Sequence, residues 1–128
     1  MARELTVTFG ADYEDTTTDV VGSFDSSNII TLATSKLLNT VMTIATTETA
    51  LELGDISSKG FCIIANLDTT NYVEVKVATA GAIFAKLFPK DSTAGLNWCC
   101  VHLGSGAQAP YAIANSSACK VQIFLLPL

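Results

Sequence analysis

His102 is the single histidine of the chain, and it closes the run Trp98, Cys99, Cys100, Val101. A histidine two residues from a cysteine is raw material for nucleophilic catalysis, in which the imidazole takes the thiol proton and an acid orients the imidazole. No acid lies between Leu96 and Leu103, so His102 is expected to serve the structure. Zinc is the other chemistry cysteine offers, and its sites present thiolates from tight C-x2-4-C turns. That spacing is absent, and Cys99 and Cys100 would point to opposite faces of a strand. Cys62, Cys99, Cys100 and Cys119 all lie in apolar stretches and are expected to be buried free thiols. A disulfide between strands is geometrically open, and the cytoplasmic synthesis expected for this chain disfavours it.

Three further sets could carry a ligand. Asp12, Glu14, Asp15, Asp19 and Asp25 are close enough in sequence to chelate calcium. They lack the EF-hand spacing with its central glycine and terminal glutamate, so a solvated acidic loop is expected. Gly104-Ser105-Gly106 is glycine-rich like a phosphate-binding loop, but no Lys-Ser/Thr pair or helix start follows it. Tyr72, Trp98 and Tyr111 could stack on sugar rings, and aromatic residues more commonly pack in a core or an interface. Asn115-Ser116-Ser117 matches a glycosylation sequon, which matters only in a secretory pathway. The residues supply neither a paired acid and base nor a ligand cluster, so no enzyme activity, metal or cofactor is expected.

The elements that would hold these residues read as strands. Leu5, Val7 and Phe9 alternate with Glu4, Thr6 and Thr8, which predicts a strand over 4–9. Ala11 to Ser27 is acidic and threonine-rich and predicts a loop or arm that orders only against a partner. Strands are predicted at 28–33, 38–45 and 47–53, where threonine and isoleucine favour a pleated surface over a helix. Phe61 to Ala65 is a continuous apolar run, predicting a strand covered on both faces. Tyr72 to Ala78 alternates, with Val73, Val75 and Val77 on one side. Between them Asp68, Thr69, Thr70 and Asn71 form a polar turn, so residues 60–78 read as an antiparallel hairpin. Strands follow at 83–88, 96–103, 110–114 and 119–126, with Pro89 stopping the first.

About eight to ten short strands, with turns roughly every 8–12 residues, predict a sandwich or barrel. The expected fold is a jelly-roll-like antiparallel β-sandwich, all-β, with an acidic, loop-rich N-terminal segment. The division falls after Ser27: residues 1–27 form a strand plus an arm, and residues 28–128 form the sandwich. A chain of 128 residues has room for one core.

Composition narrows the partners. Hydrophobic residues make up 49% and charged residues 15%, against about a quarter charged in a usual domain. Part of the apolar surface is therefore expected to meet another subunit or a larger assembly. No apolar run approaches the ~18 residues of a membrane span. Residues 1–25 hold six acids against Arg3 and account for the whole net charge of −5, while the remainder balances six acids with six lysines. No basic patch is available to neutralise phosphates, so nucleic acid is not an expected ligand. A basic protein surface is the better neighbour for the acidic arm.

Three motifs carry a family resemblance: Asn66-Leu67-Asp68-Thr69-Thr70-Asn71-Tyr72-Val73-Glu74, then Phe84-Ala85-Lys86-Leu87-Phe88-Pro89, then Pro110-Tyr111-Ala112-Ile113-Ala114-Asn115 before a final apolar strand. In these the C-terminal half resembles small structural proteins of tailed-bacteriophage particles. The resemblance implies a capsid decoration or cement protein that packs on the major capsid protein, made in a bacterial cytoplasm and carried in the virion, with a homo-trimer favoured. A tail, neck or baseplate component that binds host-surface glycans is the alternative. Asp12, Tyr13, Glu14 and Asp15 on the arm, with Asn71, Tyr72 and Tyr111 on the sandwich, are the expected interface residues.

Overall fold

The computed structural model describes residues 4–18, 20–31, 38–53, 60–103 and 110–126, and every regular element among them is a β-strand. None of them forms a helix long and apolar enough to cross a membrane. The chain divides into two compact units, Met1–Ser35 and Lys36–Leu128.

The first unit is a two-stranded ribbon. β1 (Glu4–Asp15) pairs antiparallel with β2 (Val20–Thr31) in unbroken register from Glu4 opposite Thr31 to Asp15 opposite Val20. The expected end of the first strand at Phe9 and the expected loop from Ala11 to Ser27 are therefore corrected: the acidic segment is mostly strand. Alternation continues past Gly10, because residues opposite one another share a face. Leu5 and Ile30, Val7 and Asn28, Phe9 and Ser26, Ala11 and Phe24, and Tyr13 and Gly22 form one face. Glu4, Asp12, Glu14 and Asp25 fall on the other with Val21 and Ile29, while Asp15, opposite Val20, ends the first face at the turn. Asp15 closes the turn, its Oδ1 accepting the Thr17 amide at 2.9 Å and its Oδ2 accepting the Thr18 hydroxyl at 2.7 Å. The expected division after Ser27 falls inside β2.

Among its described residues the second unit holds eight strands in two antiparallel sheets. They are β3 (Leu38–Ile44), β4 (Thr49–Ala50), β5 (Phe61–Asn66), β6 (Val73–Lys76), β7 (Ile83–Leu87), β8 (Trp98–His102), β9 (Tyr111–Ala114) and β10 (Cys119–Leu126). One sheet has the order β3-β10-β5-β8 and the other β4-β9-β6-β7. The pairs β3 with β10, β4 with β9, β5 with β8 and β6 with β7 are nested, as in one long hairpin rolled so that successive rungs fall in alternate sheets. The contacts β10–β5 and β9–β6 close the roll.

Alternating residues of both sheets meet in one core. Ile44, Cys62, Ile64, Val73, Val75, Ala112, Cys119, Val121, Ile123 and Leu125 are fully buried, so the all-β, sandwich-like fold expected from the strand pattern is present. Burying such side chains, at roughly 1.5–3 kcal/mol for each large one, is the main force holding the sheets together. Leu51 and Leu53 enter the same core, although only Thr49–Ala50 of the expected strand over 47–53 is paired.

The expected hairpin over 60–78 does not form. β5 lies between β10 and β8, whereas β6 lies between β9 and β7 in the other sheet. Residues 67–72 thus form an arch across the sandwich. The alternation of Val73 and Val75 holds, but the register shifts after Val75, and Val77, expected on the buried side, is 54% exposed.

Candidate functional site

The arch is organised by Asn66, the one buried polar residue among those described. It continues the inward parity of Cys62 and Ile64 along β5, so its carboxamide enters the interior and must find partners there. The Nδ2 donates to the carbonyl oxygens of Asn71 at 2.8 Å, Leu87 at 3.3 Å and Phe88 at 3.2 Å. Its Oδ1 accepts the Asp68 amide at 3.0 Å. On the backbone, Asn66 donates to the Asn97 carbonyl at 2.7 Å and accepts the Asn97 Nδ2 at 2.9 Å. One side chain thereby ties the end of β5 to the arch and to the end of β7 in the facing sheet. Among the described residues no buried side-chain nitrogen or oxygen lacks a partner.

Asp68 caps the arch. Its Oδ1 accepts the amides of Asn71 and Thr70, and these two bonds hold its carboxyl below the ordinary range. Asn71 is thus part of the arch's hydrogen bonding. Tyr72 follows, its amide donating to Asn115 Oδ1 at 3.1 Å and its carbonyl accepting from the Asn115 amide at 3.2 Å. The Asn115 of the sequon accordingly serves as a clamp on the arch. Lys86 Nζ lies 4.0 Å from the centroid of the Tyr72 ring and 5.2 Å from that of Phe88, a cation–π arrangement.

The candidate sugar-stacking residues are split. Tyr111 sits on β9 opposite Lys76, in the sheet that β6 shares, whereas Trp98 sits on β8 opposite Ala65 in the other sheet. Lys76 forms an ion pair with Glu48 at 2.8 Å, and the Glu48 carboxylate also accepts the Ala80 amide. Both interactions depress the Glu48 carboxyl, the hydrogen bond from Lys76 most.

His102 and Cys100 share the outward face of β8. His102 is opposite Phe61 and meets its ring edge-on, with centroids 5.8 Å apart. Cys62, Cys99, Cys100 and Cys119 are free thiols; Cys62 and Cys119 are buried as expected, whereas Cys99 is half-buried and Cys100 is exposed because of its outward parity. Burial pushes the Cys62 thiol up to about 12 and the Cys99 thiol up to about 11, against the low thiol pKa that nucleophilic catalysis uses. Among the described residues no group of three or more His, Cys, Asp or Glu is placed to hold a metal ion.

On the ribbon, Asp12, Tyr13 and Glu14 are exposed near the turn. Asp12 and Glu14 share a face, Tyr13 lies on the opposite one, and Asp15 is occupied by the turn. The hydrogen bond from the Thr18 hydroxyl, then that from the Thr17 amide, lowers the Asp15 carboxyl. Asp19 and the connection 104–109, with Gly104-Ser105-Gly106, lie outside the described residues. The expected interface residues therefore divide between the ribbon, the arch with Asn71 and Tyr72, and β9 with Tyr111.

Reading the sequence for function missed Asn66 and Asn97. The available signal was parity, since an amide at the third inward position of an apolar strand must be satisfied by something distant. No family model, curated protein or solved structure matches the chain.

Proposed function

We propose that this chain is a non-enzymatic structural protein of a tailed-phage particle, a decoration or cement protein that packs on the major capsid protein and stabilises the head. The observation that carries the reading is the β1–β2 ribbon, which exposes Phe24 at 59% and Tyr13 at 58% on one face and Val21 at 76% and Ile29 at 68% on the other, while its charges are all acidic. A two-stranded ribbon is marginal alone in water, and an exposed apolar face of this kind marks an assembly surface. The acidic face suits a basic partner surface.

The nested strand order of the second unit supports the reading at the level of architecture. We read the two four-stranded sheets, in the orders β3-β10-β5-β8 and β4-β9-β6-β7, as a jelly roll, an architecture used by viral capsid and lectin domains. Fold alone does not assign function; the motif resemblance and the ribbon supply the rest. The mechanism is mechanical: a protein that binds only the assembled, expanded head stabilises that state by mass action.

Co-sedimentation with expanded heads tests this. The intact chain should pellet with heads, and a chain lacking residues 1–35 should pellet less. Equal binding by the two would remove the ribbon from the mechanism. Binding to host envelopes but not to heads would favour the tail reading with Tyr72 and Tyr111 as the sugar-facing residues.

A further inference from the structure

We infer that the free edge of β3 is a self-association edge, on which β3 of a second copy lies antiparallel across a two-fold axis through Val41, joining the two sheets into one. This stands apart from the virion reading, because the pair forms in solution.

Position and sequence single out this edge. β3 ends the sheet β3-β10-β5-β8, and its seven residues run beside β10 in unbroken register from Leu38 opposite Leu125 to Ile44 opposite Cys119. Proteins guard exposed edges with short strands, lysine, proline or a bulge, because an unguarded row of amides and carbonyls pairs with another chain. The other outer strands of the two sheets are shorter: β4 has two residues, β8 has five, and β7 has five with Lys86 among them and a register shift against β6. β3 reads Leu-Asn-Thr-Val-Met-Thr-Ile, with no charge, no proline and no bulge.

The open backbone groups follow from the end of the strand. Ala45, next after Ile44, donates its N–H to Thr49 Oγ1 at 3.2 Å and accepts the Ala114 amide at 2.9 Å, so its backbone turns away from β10. Direction alternates along a strand, so Thr43, Val41 and Asn39 also turn their N–H and C=O groups away from β10. Among the described residues no strand lies on that side. The side chains of all three are exposed, Val41 at 52%.

The strand complements itself. With the axis at Val41, that residue faces its own copy and Asn39 faces Thr43, and each opposed pair exchanges two main-chain hydrogen bonds, roughly six in all. Gln122 Nε2 donates to Asn39 Oδ1 at 2.9 Å, which leaves Asn39 Nδ2 to donate to the hydroxyl of the second copy's Thr43. Thr40 faces Met42, both half-buried, and Leu38 and Met42, which pack against the core, gain cover. An axis at Asn39 or Thr43 would pair only one end of the strand. No charge opposes the contact, and in strand addition main-chain hydrogen bonds supply the affinity.

Charge exchange at Val41 tests the axis. Sedimentation velocity of the full chain across the micromolar range should show its mass rising from one copy towards two. Val41→Lys and Val41→Glu each set like charges opposite one another and should weaken association by roughly tenfold or more, with denaturant melts like the parent's showing that both variants fold. An equimolar mixture of the two should associate again, because lysine then faces glutamate, a result specific to an axis at this residue. A wild-type chain that stays monomeric or forms trimers, variants that associate unchanged, as contact through the ribbon would give, or a mixture that stays apart would each overturn the inference.

Discussion

The carboxamide nitrogen of Asn66 donates to the carbonyl oxygen of Asn71 at 2.8 Å, and this bond fixes the direction in which the chain leaves β5. Because the same carboxamide reaches Leu87 and Phe88, the arch cannot relax without loosening the end of β7. Asn66→Leu would strand buried carbonyls and lose the acceptor for the Asp68 amide, for a cost of about 3 kcal/mol. Asn97→Ala, which removes a single half-buried bond to the Asn66 carbonyl, should cost about 1 kcal/mol. Urea titration of the two variants checks both values, and an Asn66→Leu chain as stable as the parent would remove Asn66 from the centre of the fold.

Acid should destabilise the protein through Asp68 and Glu48. Both carboxyls are depressed in the folded chain, Asp68 by the amides of Asn71 and Thr70 and Glu48 by Lys76 and the Ala80 amide, from ordinary values of 3.8 and 4.5. Groups depressed on folding contribute stability that is present above the unfolded value and lost as pH falls through the folded one. Thermal unfolding followed downward from about pH 5 should show a falling melting temperature. Asp68→Asn keeps an acceptor oxygen without the charge and should flatten that limb; a limb unchanged in this variant would assign the acid loss elsewhere.

Thiol chemistry should single out Cys100. It is exposed on β8, while Cys62 and Cys119 are buried and burial raises the thiols of Cys62, Cys99 and Cys119. Alkylation of the native protein at mildly alkaline pH should label one cysteine per chain, mapped by mass spectrometry to Cys100, and denaturation should release the other three. Rapid native labelling of Cys62 would mean that the sandwich opens readily.

Ala80 holds a left-handed backbone, with φ of 54°, in the turn between β6 and β7. Side chains disfavour that region and glycine does not, so Ala80→Gly should raise stability by about 0.5–1 kcal/mol. The amide of residue 80 that Glu48 accepts is retained. A loss of stability in denaturant melts would contradict this.

Several elements were legible in the sequence because their signal is local. The limits of β10 coincide with the apolar run Cys119–Leu126, and the alternation of Val73 with Val75 reports the buried face of β6. The unbroken apolar content of β5 indicated burial on both sides; Cys62 and Ile64 are buried on one face, whereas on the other Phe61 is buried and Ile63 and Ala65 are half-buried. Pairing was not legible. Asp68 to Asn71 carry the same turn chemistry whether the chain returns beside β5 or crosses to the other sheet, and the choice rests on partners more than twenty residues away at Leu87 and Phe88. In the ribbon the apolar face was diluted by Asn28, Ser26 and Gly22 standing opposite Val7, Phe9 and Tyr13. Read along either strand alone, the segment from Ala11 to Ser27 resembles a loop; its alternation emerges only when the two strands are set side by side.

Electron cryo-microscopy of native particles, with the chain located in the map, tests the structural-protein reading most directly. The account predicts density for the β3–β10 sandwich on the outer surface of the head, with the β1–β2 ribbon reaching across a junction between capsid subunits. Density for the chain at the tail tip, or particles that lack it altogether, would contradict the account.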